Sequence, residues 1–173
     1  MFVLEYALPV LSGVCMIIIT IFILSKFLYR KRGFNPALVG VIAVASSIAQ
    51  VYFNSFQMPW VNYLAICVEF TIIAHIFFKG NFALKLGFPV IVTTIASLSE
   101  TVIIFIPTVF SELQFTSLLA SPIFLAVLGF LVPPVFLVLG LFIAKKFPRK
   151  YESFNWSELY LVSYQILSIV LHT

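Results

Sequence analysis

The chain has 173 residues, of which 62% are hydrophobic and only 9% are charged, with a net charge of +4. Water-soluble domains carry about 25% charged residues, so this composition excludes an ordinary soluble domain and indicates an integral membrane protein. The basic residues fall in clusters that flank apolar stretches, which favours contact with a lipid bilayer over nucleic-acid binding. The clusters are Lys26/Arg30/Lys31/Arg32, Lys79/Lys85 and Lys145/Lys146/Arg149/Lys150.

Six apolar stretches approach the length of about 20 residues that a helix needs to cross a bilayer. The first tolerates Pro9 in its opening turns, and the second begins with a proline. The fourth is predicted to stop at Pro107, and the fifth to kink or break at Pro133-Pro134. The predicted spans are residues 6–28, 36–53, 60–78, 86–106, 122–144 and 155–172.

The basic clusters also predict the topology, because positively charged loops stay in the cytoplasm. The amino terminus and the loop 108–121 are then expected outside. Glu5 precedes the first span and basic residues follow it, which is the reverse of a cleaved signal peptide. We therefore predict an all-α, polytopic transmembrane helix bundle of about six spans, amino terminus outside, in the cytoplasmic (plasma) membrane. The sixth span runs to Thr173 without a polar anchor, so residues 1–173 are expected to be one membrane domain of a longer protein.

Soluble catalytic patterns are missing from the sequence. There is no Gly-rich phosphate loop, no G-x-S-x-G, no H-E-x-x-H and no aspartate at all. Cys15 and Cys67 lie in apolar runs and are interpreted as free thiols, and the few cysteines and histidines do not have metal-site spacing. No catalytic residue, cofactor or metal is predicted in this chain.

Two glutamates lie within predicted spans, where an ionisable side chain costs about 3 kcal/mol unless it finds a partner or water. Glu69 lies near the middle of the third span, and Glu100 lies in the outer half of the fourth. Since these spans are antiparallel, both carboxyls are expected to reach the outer half of one cavity, with Asn62, Thr93 and Ser97 on the same faces. The alternative is that both carboxyls are protonated and only hydrogen-bond neighbouring helices.

Two spans carry seams of small and polar residues at steps of three and four. Gln50, in the first seam, is also a candidate for the polar cavity, although such seams often only pack helices together. His75 lies about 120° around the third helix from Glu69 and is interpreted as an interfacial residue. The seams are Gly40, Ala43, Ser47, Gln50 and Asn54 in the second span, and Glu158, Leu161, Gln165, Ser168 and His172 in the sixth.

Three short segments resemble one known family. The turn Ile76-Phe77-Phe78-Lys79-Gly80-Asn81-Phe82-Ala83-Leu84-Lys85 is followed one helix later by Leu98-Ser99-Glu100, and Trp156-Ser157-Glu158-Leu159 leads into Gln165-Ile166-Leu167-Ser168-Ile169. These segments resemble the membrane sensor region of AgrC-like histidine kinases, whose ATPase part is of the GHKL type.

That resemblance implies a homodimeric sensor for an extracellular signal, often a short peptide pheromone, in quorum sensing. It also implies a seventh span and a kinase part that follow this segment, through which a response regulator of a two-component system is phosphorylated. Neither His75 nor His172 is placed to be the phosphoacceptor.

Two other interpretations are open. Six-span substrate-binding subunits of small-solute transporters, such as those for vitamins, have a similar length and also hold a polar site within the membrane. A structural membrane subunit without any ligand is the third interpretation, and it predicts no saturable binding.

Overall fold

A computed structural model describes residues 7–33, 35–54, 58–110 and 122–146. In these ranges the chain is helical, with no β-strand, and it forms five helices. Each of the five is long and apolar enough to cross a membrane, which confirms the prediction of a multi-pass helical protein for this part of the chain. The helices are α1 Leu8–Phe27, α2 Pro36–Asn54, α3 Pro59–Phe77, α4 Phe82–Phe110 and α5 Pro122–Lys146.

The sixth predicted span, residues 155–172, lies outside the described residues, as does the loop 111–121. The helix does not stop at Pro107 as predicted, because α4 continues through it to Phe110, although the part of α4 that can cross a membrane, Phe82–Phe105, ends close to the predicted span. A proline this close to a helix end removes one hydrogen bond, which membrane helices tolerate. The predicted start was also late, because α4 already begins at Phe82.

The predicted kink or break at Pro133-Pro134 is not a break, since α5 runs through both prolines, and a kink there stays a prediction. Pro133 has no N–H to donate to the carbonyl of Gly129, four residues earlier. The Ser12 hydroxyl of α1 donates to that carbonyl instead, at 2.8 Å. A neighbouring helix thus replaces the bond that the proline removes, as is common in membrane helices.

Helix α1 is central, because it packs against all four other helices. It is antiparallel to α2, and at Gly13 the two helices approach so closely that an added Cβ would lie 2.9 Å from the Ser47 Cβ. It is parallel to α5, where Gly140 makes a similarly close contact with Ile23. The core between the helices is apolar and includes a stacked ring pair, Phe27 and Phe88, with centroids 5.0 Å apart.

The carboxyl ends of α1 and α3 are joined at one end of the bundle. The Lys31 N–H donates to the Phe77 carbonyl at 2.9 Å, and the Lys79 N–H donates to the Tyr29 carbonyl at 2.8 Å. Between these bonds Arg30 pairs with Phe78 in an antiparallel bridge. Helix α4 begins beside this pairing and α5 ends at the same level, so every basic residue that the structure describes lies at this end. We call it the basic end.

The outer surface of the described helices is largely apolar. Val41 is 66% exposed, Trp60 65% and Val138 65%. Apolar surface this continuous is unfavourable in water and is typical of helices that face lipid. The positions of the basic residues agree with a single aqueous border at the basic end.

Candidate ligand-binding site

A polar site lies between α2 and α3. Glu69 is near the middle of α3 and partly buried, and its carboxyl faces α2. The Gln50 side-chain amide of α2 donates to Glu69 Oε2 at 2.6 Å. The Ser46 hydroxyl, one helical turn before Gln50, lies near the same carboxyl. Residues four apart on a helix share a face, so α2 presents both groups together.

Two buried acceptor atoms on α3 have no hydrogen-bond partner among the described residues. They are Glu69 Oε1 and Asn62 Oδ1. The two residues are seven apart, which places them on one face of α3 and roughly 10 Å apart along its axis. A buried polar atom without a partner costs about 1–3 kcal/mol, and most such atoms in native proteins are satisfied by protein or water. This face of α3 can therefore accept hydrogen bonds from a bound group.

Helices α3 and α4 meet through a separate set of hydroxyl and thiol contacts. The Tyr63 hydroxyl lies 3.2 Å from Thr94 Oγ1, and the Cys67 thiol lies near the Thr93 hydroxyl. Thr93 is fully buried and donates to the Pro89 carbonyl at 2.8 Å. Its hydroxyl is thus bonded within α4, and Cys67, like Cys15, is a free thiol.

Glu100 is not brought to Glu69. Helix α4 is antiparallel to α3, and this register places Glu69 level with about residues 88–91 of α4 and Glu100 roughly 15 Å further from the basic end. Glu100 is exposed on the surface of α4. The single cavity expected for the two carboxyls is therefore not formed by α3 and α4. The contacts that fix the register are Tyr63 with Thr94, Cys67 with Thr93, and His75 with Phe82.

The other hydroxyls of α4 bond mainly within their own helix. Thr94, Ser99 and Thr101 each donate to the carbonyl four residues earlier, at 2.8–2.9 Å. Ser97 is half-buried, and its carbonyl accepts the bond from Thr101. Such back-bonding is ordinary for Ser and Thr in helices. The polar strip that the sequence indicated on α4 is thus mostly self-satisfied.

Ser46 is the member of the site that the sequence analysis missed. The seam on α2 pointed to Ser47, but Ser47 is fully buried towards α1 and donates to the Ala43 carbonyl at 2.6 Å. The spacing of four residues from Gln50 was the available signal for Ser46. Gly40, at the other end of the seam, is exposed and has no close neighbour.

His75 lies near the carboxyl end of α3, as expected for an interfacial residue. Its Nδ1 is 2.9 Å from the Thr71 carbonyl, and its own carbonyl accepts a bond from the Lys31 ammonium at 2.6 Å. His75 therefore contacts residues at the basic end of the bundle and does not pair with Glu69. Among the described ranges, no three residues of the types His, Cys, Asp and Glu come together as metal ligands.

The chain matches no family model, no curated protein and no solved structure.

Proposed function

We propose that the chain is the membrane sensor segment of a receptor, and that the site around Glu69 contacts its signal. The supporting observation is the Glu69 carboxyl, which holds Gln50 through one oxygen while its other oxygen has no described partner. An ionisable side chain within a span is costly and usually marks a functional site. Because the unpartnered atoms at Asn62 and Glu69 are both acceptors, the favoured signal presents hydrogen-bond donors, such as an amine or peptide amides.

The site lies where a ligand can change helix packing. Helix α2 is held on one side by α1 and on the other by α3, and its contact with α3 is the less extensive. A ligand that donates to Glu69 Oε1 binds beside the contact between Gln50 and Glu69 Oε2, and this favours an arrangement in which α2 and α3 are shifted. A ligand acts only through different affinities for two such arrangements.

The proposal that the receptor is a sensor histidine kinase is based on the resemblance to AgrC-like histidine kinases. In that proposal the basic end lies in the bacterial cytoplasm, the chain acts as a homodimer, and a kinase part passes the signal to a response regulator. An extracellular peptide is then the signal. For a sensor histidine kinase, we expect the coding sequence to continue beyond Thr173. The continuation is expected to contain a seventh span, a phosphoacceptor histidine and an ATP-binding part.

One observation favours a second function, that of a substrate-binding subunit of a small-solute transporter. Glu69 lies near the middle of its span and not at the outer surface. Transporters hold their substrates near the middle of the membrane. The two functions separate in proteoliposomes, because a transporter subunit supports solute accumulation with its partner subunits and a sensor does not.

The test uses the purified chain in neutral detergent micelles and the small-peptide fraction of conditioned culture medium from the source organism. A ligand that binds only the folded protein raises its unfolding temperature. We expect a rise for the wild type and for Glu100→Gln, and no rise for Glu69→Gln. Both substitutions exchange one carboxyl for an amide, so they are matched. No rise for the wild type, or an equal rise for Glu69→Gln, contradicts the proposal.

A further inference from the structure

Among the residues that the structure describes, the basic end collects positive charge without a matching negative charge. The acidic residues that the structure describes are Glu69 and Glu100, and both lie within helices away from this end. The backbone pairing between α1 and α3 fixes the chain at Lys31 and Lys79. The two lysines are therefore presented by an ordered segment and not by a loose loop.

Lys85 adds a third positive charge in an unfavourable place. It lies in the first turn of α4, where the helix dipole is positive and favours anions over cations. It is also close enough to Lys31 for their like charges to repel. One of the three ammonium donors of Lys31 bonds the His75 carbonyl, which leaves two for another acceptor. An anion bound between Lys31 and Lys85 relieves their repulsion and accepts hydrogen bonds from the Lys31 ammonium.

The surroundings of the lysines are suited to a lipid. Phe82 is 63% exposed and begins α4, and Ile72 and Ile76 are 53% and 39% exposed along α3. Exposed apolar side chains thus follow the basic end on both α3 and α4. A phosphate group bound at the lysines can therefore carry acyl chains that lie on these side chains.

We propose that Lys31, Lys79 and Lys85 bind the phosphate headgroup of an anionic phospholipid. Basic sites between membrane helices at the aqueous border commonly take such headgroups. The site does not depend on the proposed receptor function, because it uses neither Glu69 nor the direction of the helices across the membrane.

The experiment measures lipid binding to the full 173-residue chain in neutral detergent by native mass spectrometry. The lipids are phosphatidylglycerol and phosphatidylcholine, and inorganic phosphate is added as a competitor in a separate series. We expect phosphatidylglycerol to bind at least tenfold more tightly than phosphatidylcholine, and millimolar phosphate not to displace it. Equal binding of the two lipids overturns the proposal, and displacement by phosphate assigns the site to a free anion instead.

Matched variants separate a defined site from general attraction to a basic surface. Lys79→Gln/Lys85→Gln is expected to weaken phosphatidylglycerol binding roughly 25-fold, about fivefold for each lysine. Lys145→Gln/Lys146→Gln removes the same charge from the same end and is expected to weaken binding less than threefold. Equal weakening by the two double variants contradicts a defined site.

A charge-preserving variant separates the loss of positive charge from a loss of folding. Lys79→Arg/Lys85→Arg keeps both positive charges and is expected to retain phosphatidylglycerol binding within about threefold of the wild type. The unfolding temperature without lipid is measured for each variant. A stable Lys79→Gln/Lys85→Gln protein that binds phosphatidylglycerol like the wild type overturns the proposal.

Discussion

The contact between Ser12 and Gly129 predicts an energetic coupling between α1 and the proline in α5. Pro133 leaves the Gly129 carbonyl without its usual donor, and the Ser12 hydroxyl supplies one at 2.8 Å. Hydrogen bonds between membrane helices are worth about 0.6 kcal/mol on average and at most about 1.7. Ser12→Ala also leaves a partly buried carbonyl unpaired, so we expect it to lower the free energy of unfolding by about 1–2 kcal/mol.

Pro133→Ala restores an N–H that can donate to the Gly129 carbonyl within α5. In that background Ser12→Ala is expected to cost only about 0.5 kcal/mol, which gives a coupling energy of about 1 kcal/mol between the two positions. Equilibrium unfolding of the four proteins in mixed micelles measures this coupling.

Pro134→Ala is the control, because the carbonyl that Pro134 leaves free belongs to Phe130 and not to Gly129. Ser12→Ala is expected to cost as much in that background as in the wild type. The reasoning is refuted if Ser12→Ala costs the same with proline and with alanine at position 133.

Two further predictions concern the packing of α2. Gly13→Ala is expected to destabilise the bundle by about 1–3 kcal/mol, because its new Cβ meets the Ser47 Cβ at 2.9 Å and the Ser47 Cα at 3.3 Å. The control is Gly40→Ala, which has nothing within 4 Å of its new Cβ and is expected to be neutral or slightly stabilising. Unfolding in mixed micelles compares the two, and similar losses contradict the packing. Gln50→Leu is expected to destabilise by about 1–3 kcal/mol because it removes the donor to Glu69, and Gln50→Leu/Glu69→Leu is expected to regain most of that loss. A double variant that is less stable than the single one in the same assay shows that the pair does not act as a unit.

Much of the fold was predictable from the sequence because a span needs only length and apolarity. The first three spans were placed within two residues of their observed ends, and the basic residues that the structure describes do gather at one end. The ends and continuity of α4 and α5 were not predictable from prolines alone. A proline removes a hydrogen bond within its own helix, and whether a neighbour such as Ser12 replaces it depends on tertiary packing.

The candidate site was predicted only in part. Gln50 and Glu69 meet at one interface, whereas the place of Asn62 in the site rests on its spacing of seven residues from Glu69 along α3. Spacing could not show which neighbour that face meets, and α4 was expected where α2 lies. Too many hydroxyls of α4 were predicted to be available to a cavity. The sequence shows where hydroxyls occur, but it does not show that they bond the carbonyls four residues earlier in their own helix.

The proposed receptor requires the basic end in the cytoplasm and the opposite ends of α2 and α3 towards the outside. Cysteine labelling tests this most directly, with Lys79→Cys at the basic end and Met58→Cys at the other, each in a Cys15→Ser/Cys67→Ser background. A membrane-impermeant maleimide is expected to label Met58→Cys in intact cells and Lys79→Cys only after the cells are permeabilised. Labelling of Lys79→Cys in intact cells contradicts the orientation and the proposed receptor function with it.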